Sequence, residues 1–126
     1  MASPERLRAV RGATTVAADT EADIRAAVSE LLLGLTEANA IAPADVCAAF
    51  FTVTPDLTAV SVAKVARTAL AWEGVPMVCA LEPPVRGLPD LCVRVMVQYY
   101  GGVPVPRPVY LRGAAVLRPD WSVGAP

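Results

Sequence analysis

The chain has 126 residues, 55% of them hydrophobic and 18% charged, with a formal net charge of −1 and no histidine. That length suits one domain with a real core but no deep private pocket, so a site shared between subunits is expected, with some of the apolar excess buried between them. Scattered basic residues argue against a nucleic-acid surface, and the missing histidine removes both the commonest acid/base and the usual activator of a nucleophilic serine.

The segment LRAVRGA (7–13) alternates as a strand, with Leu7, Ala9, Arg11 and Ala13 on one face and Arg8 on the other. Thr20-x-x-Asp23 reads as a capping box, with Asp19 a competing cap. Ile24, Ala27, Val28, Leu31, Leu32 and Leu35 then follow helical spacing through Gly34 to about Asn39. Pro43 in APADV predicts a helical turn ahead of a buried strand, VCAAFFTV, over 46–53. TPDL (54–57) is a turn or cap, and Val60 to Ala71 reads as a second, shorter helix carrying Lys64 and Arg67 one turn apart.

VPMVC (75–79) is a strand, LEPPVRGLPD a proline-rich connection, and LCVRVMVQY (91–99) the clearest strand of the chain. After the loop GGVPVPRP, VYLRGAAVL (109–117) reads as a last strand leading into the tail RPDWSVGAP. The order β-α-β-α-β-β-β predicts one α+β domain over 1–126 with its helices on one face of the sheet, loose at 1–6 and from about 120. Self-association would cover the other face.

Cys47, Cys79 and Cys92 are widely spaced, with no C-x-x-C pair. They offer no zinc site or disulfide framework and read as free thiols in a reducing compartment. MASPERLRAV lacks an apolar signal region and no stretch suits a bilayer, so a cytoplasmic protein with no membrane partner is expected. Phosphate-binding and dinucleotide-binding glycine motifs are absent.

What remains is arginine, one lysine, a glutamate after a strand, a tyrosine and a thiol, equipment for holding an anion and stabilising charge. Ten of the eleven basic residues are arginine, which fits either bidentate anion recognition or GC-rich coding. Arg94 shares a face with Cys92 and Met96, opposite Val93, Val95 and Val97. It is either a charge on a solvated face or a fixed cation facing an anion, and Arg11 poses the same choice. Lys64 and Arg67 also read as a solvated stripe, Arg118 as a tail charge, Glu82 as a loop carboxylate, Cys79 as core and Tyr110 as a buried strand tyrosine.

RGATT, TPDL-x-AV-x-x-AK-x-x-R, VP-x-x-C-x-x-E, C-x-RV, VYL and LRPD occur in this order over most of the chain. In this the sequence resembles the small, single-domain type I chorismate mutases, from about Arg8 to Asp120. The resemblance implies a ferredoxin-like subunit with a mixed sheet, three of which pack into a pseudo-α/β barrel with a site in each cleft between neighbours. It also implies the conversion of chorismate to prephenate by a concerted pericyclic rearrangement, on the shikimate branch toward phenylalanine and tyrosine, without a cofactor or metal.

Carried over by position, the resemblance makes Arg94 the donor to the ether oxygen and the side-chain carboxylate, with Arg11 and Tyr110 at the same carboxylate. It puts Cys79 and Glu82 near the ring hydroxyl, and Lys64, Arg67 and Arg118 around the ring carboxylate and cleft mouth. Ala63, Met77, Val78 and Leu117 become apolar walls. Ser61 stands where the family commonly has phenylalanine, and Val78 where threonine is more usual. The alternative reading is a trimeric ferredoxin-like module that holds another small carboxylate between subunits.

Overall fold

A computed structural model describes residues 6–118. The expected loose termini, Arg6 apart, lie outside the described residues. The elements are β1 (Leu7–Thr15), α1 (Glu21–Asn39), a 3₁₀ turn (Pro43–Asp45), β2 (Val46–Val53), α2 (Val62–Ala69), β3 (Met77–Leu81), β4 (Cys92–Tyr100), β5 (Val109–Tyr110) and a 3₁₀ segment (Arg112–Leu117). They build one mixed five-stranded sheet in the order β3-β2-β4-β1-β5. The central strand β4 runs antiparallel to β1 and β2, while the outer strands β3 and β5 lie parallel to β2 and β1.

Both helices cover one face, because the apolar stripes match. Ile24, Ala27, Val28, Leu31, Leu32 and Leu35 of α1, with Val62, Val65 and Ala66 of α2, are buried in one core with Val10, Ala49, Phe51, Val93, Val95 and Val97 of the sheet. The N-cap forms without the reciprocal half of the box: Thr20 Oγ1 accepts the Asp23 N–H at 3.1 Å and donates to the Asp23 carboxylate at 2.8 Å, while the Thr20 N–H donates to the Ala18 carbonyl. At the far end of α1, buried Asn39 donates to the carbonyls of Leu35 and Arg107 and accepts the Arg107 N–H, tying the helix to the loop before β5. Gly12 lets α1 approach β1, since a Cβ there would lie 2.9 Å from both Leu35 Cδ1 and the Val109 carbonyl oxygen.

Element limits differ from expectation: β1 runs on two residues to Thr15 and β4 is displaced by one, to Cys92–Tyr100. β3 starts two residues later than predicted, because Val75 closes a turn onto the Trp72 carbonyl and Pro76 has no N–H to give a ladder. α2 is shorter at both ends; beyond it, Ala71 takes a positive φ of 57°, which stops any continuation. The last strand is only Val109–Tyr110. Arg112 turns into left-handed backbone with φ 52°, the Gly113 N–H donates to Thr15 Oγ1 at 3.0 Å, and the chain curls into a 3₁₀ segment. Ala114 and Leu117 thereby cover Ala13, Cys92 and Tyr110, a second small core on the face away from the helices.

The rest of that open face carries Leu7, Phe50, Val78 and Tyr100 exposed, alongside Arg11 and Arg94. No helix of the described residues is long and apolar enough to cross a membrane.

Candidate active site

Strand alternation and register decide which side chains meet. On the open face Arg94 of β4 pairs with Ala13 of β1 and with Thr52 of β2, while Met96 pairs with Arg11 and Phe50. Tyr110 of β5 pairs with Ala13, on the same face. The chain leaves β3 at Leu81, and the Glu82 N–H continues the ladder to the Val53 carbonyl at 2.8 Å. The Glu82 side chain therefore turns onto the open face, where Oε1 accepts the Thr52 hydroxyl at 2.6 Å and lies 3.5 Å from Arg94 Nε.

A shallow groove of about 270 Å³ follows, lined by Arg11, Phe50, Thr52, Glu82, Arg94 and Met96 among others. The Arg94 side chain is 39% exposed and that of Glu82 only 15%. With Arg94 this open to solvent, the pair adds little stability. Burial pushes the neighbouring Cys92 thiol up from its usual pKa, against an opposing pull from Arg94.

The start of β4, and so the placement of Arg94, depends on the TPDL turn. Thr54 Oγ1 accepts the Cys92 N–H at 2.9 Å and donates to the Asp56 carboxylate, whose other oxygen accepts the Leu91 N–H at 3.0 Å. Leu91 is held with φ 49°, backbone that a leucine rarely adopts unless fastened.

A second set of residues lies elsewhere. α2 buries Val62, Val65 and Ala66, so Lys64 and Arg67 project outward from one side of it, with Ala63 half-buried beside them and Ser61 at the entry. Asp19 anchors that entry: its carboxylate accepts the Thr58 N–H at 2.9 Å, the Thr58 hydroxyl at 2.7 Å and the Ala59 N–H at 2.9 Å. These bonds hold its pKa below the ordinary value of 3.8. In β3, Met77 and Cys79 are paired with Ala49 and Phe51, which puts them on the helix side of the sheet at its outer edge. Cys79 is exposed in the single chain, yet partial desolvation of its thiol pushes its pKa up.

The residues expected at the site thus fall into two groups. Arg11, Glu82, Arg94 and Tyr110 share the open face, with Leu117 over Tyr110 and Arg118 following it; Val78, paired with Phe50, joins them. Ser61, Ala63, Lys64, Arg67, Met77 and Cys79 lie on α2 and the helix side of β3. Cys79 and Glu82, expected as neighbours at the ring hydroxyl, are separated within one chain because three positions along a strand reverse the face. Thr52, Phe50 and Asp56 were not singled out from sequence. The alternation of Phe50 and Thr52 against Phe51 was a signal for the first two, masked by the continuous apolar run of VCAAFFTV.

Residues 7–121 match the family model of chorismate mutase type I. Chorismate mutase AroH of Bacillus subtilis (strain 168) is 42% identical over 119 residues, spanning 93% of this chain and 94% of that protein. Chorismate mutase AroH of Thermus thermophilus is 42% identical over 117 residues, 90% of this chain and 95% of its own. Among solved structures, a chorismate mutase from Clostridium thermocellum superposes with a TM-score of 0.79 at 35% identity, covering 86% of this chain and 98% of that one.

Proposed function

Because this chain belongs to the type I chorismate mutase family, we propose that it converts chorismate to prephenate in clefts formed between copies of itself, most economically three. The carrying observation is the division of the site residues between two surfaces of one subunit. The open face supplies Arg11, Arg94, Glu82 and Tyr110; α2 and the edge of β3 supply Lys64, Arg67 and Cys79. The sheet stands between them, so a ligand touching both groups must take them from different subunits. The exposed apolar residues of the open face, Phe50 at 40% and Val78 at 58%, favour the same conclusion.

The rearrangement is unimolecular and moves no proton. The protein must hold the folded conformer of a dianion and stabilise negative charge as the ether C–O bond breaks and the new C–C bond forms. Arg94 is the cation for the ether oxygen. Contact with Glu82 at Nε orients the guanidinium, and the other N–H donors of that group serve the ligand. Arg11 and Tyr110 hold the side-chain carboxylate, while Lys64 and Arg67 of the neighbour gather the ring carboxylate and Cys79 lies at the ring hydroxyl. Cys79 keeps its proton at neutral pH, since partial burial raises its pKa, and so acts as a neutral hydrogen-bonding group. Family membership leaves the alternative, a module holding some other carboxylate, without support.

Mixing tests this directly. Arg94→Ala and a Lys64→Ala/Arg67→Ala double variant are each poor catalysts at subsaturating chorismate. Unfolded and refolded together, they should regain activity that neither has alone, because some mixed clefts carry both intact halves. No recovery, with mixed oligomers demonstrated by mass, means that each site is built within one subunit.

A further inference from the structure

We propose that Thr52 is a positioning residue for this reaction, its hydroxyl steering Glu82 onto Arg94. The inference rests on the reading of Arg94 and Glu82 as one wall of the chorismate site. Thr52 lies on β2, the strand between the one that carries Arg94 and the one from which Glu82 emerges. Its Cα is paired with Arg94 on one side and Ala80 on the other, so its hydroxyl projects between them on the open face.

Two adjacent residues of β2 hold Glu82. The Val53 carbonyl accepts its N–H at 2.8 Å, and the Thr52 hydroxyl donates to its Oε1 at 2.6 Å. The same oxygen is the one 3.5 Å from Arg94 Nε. A glutamate side chain has several torsions to freeze, whereas a β-branched threonine in a strand has little freedom at χ1. The stiff residue therefore sets the geometry of the soft one through a short, charge-assisted bond. Thr52 acts through Glu82, which in turn sets the angle of the guanidinium. The hydroxyl lines the groove but needs no contact with substrate.

The test compares Thr52→Val, close in shape but without the hydroxyl, with Thr52→Ser, which keeps it, using chorismate turnover by the intact oligomer. Thr52→Val should lose about ten- to a hundredfold in kcat/KM, the range for a hydrogen bond to a charged group. The loss should sit mainly in kcat, and Thr52→Ser should recover most of it. Combined with Glu82→Ala, Thr52→Val should cost almost nothing further, because the carboxylate it positions is gone. Wild-type kcat/KM in Thr52→Val overturns the proposal, as does an equal loss in Thr52→Ser or an equal factor with and without Glu82. Thr52→Ala repeats the comparison if the valine chain does not assemble. Arg94→Ala in the same assay separates the two readings: an active Arg94→Ala defeats the site assignment, whereas an inactive Arg94→Ala beside an unaffected Thr52→Val defeats only the role of Thr52.

Discussion

Arg94 stands directly across from Ala13, whose methyl is fully buried, so its long side chain has only a small neighbour on β1. On its β2 side the partner is Thr52, which is also small. A guanidinium at this position is flanked rather than crowded, and Glu82 at 3.5 Å gives it a direction. Arg94→Ala should therefore lower kcat at least about a hundredfold, the scale of losing one preorganised oxyanion donor. Arg94→Lys should not restore it, because a single ammonium lacks the planar fork. Initial rates from the loss of chorismate absorbance decide both.

Lys64 and Arg67 lie on the exposed side of a short helix, outside the groove, and the proposed site takes them as ligand contacts. Replacing either with alanine should raise KM more than it lowers kcat, as expected for contacts made equally in the ground and transition states. Equal losses in kcat and kcat/KM would assign them to the transition state instead.

The chain has no histidine and the Cys79 thiol is shifted above its usual 9.0, so neither an imidazole nor this thiol changes charge near neutrality. The value of kcat should stay within about twofold between about pH 6 and about pH 8. A Cys79-dependent change belongs to the alkaline side, where the thiol ionises. A steep step centred near pH 7 would contradict charge stabilisation without proton transfer.

Asp19 has its pKa lowered from 3.8 by the hydrogen bonds it accepts from Thr58 and Ala59. The folded state thus favours the carboxylate, and its contribution is complete above 3.8 and lost as pH falls through the lowered value. Wild type should resist urea better than Asp19→Asn at neutral pH, with the gap closing on acidification below that range. A gap that widens with acid would reverse the sign of this linkage.

Gly12 has no room for a side chain, its missing Cβ lying 2.9 Å from backbone oxygen as well as from Leu35. Gly12→Ala should destabilise the fold by about 1–3 kcal/mol, the usual cost of overpacking. An unchanged urea midpoint would mean that α1 withdraws from β1 without penalty.

Much of this molecule was legible in residue order. The N-cap at Thr20, the stripe from Ile24 to Leu35, the strand VCAAFFTV and the alternation that turns Arg94 away from Val93 and Val95 all depend on short-range patterns, which a linear chain displays. The end of the chain was not legible: VYLRGAAVL has the composition of a strand. Only the pairing of Gly113 with Thr15, and the packing of Ala114 and Leu117 on Tyr110, turn most of it into a 3₁₀ segment.

The site divides in the same way. The residue types pointed to holding an anion and stabilising charge, and the ordered motifs, through the family they resemble, to an isomerase. Sequence by itself determined which groups are available, because chemistry resides in side chains and their identity needs no fold. Tertiary structure decided which of them share a surface: Glu82 joins Thr52 and Arg94 while Cys79 lies across the sheet. The reason is physical. Strand register and the curl after Tyr110 arise from contacts between residues far apart in the chain, and a single step along a strand exchanges one face for the other.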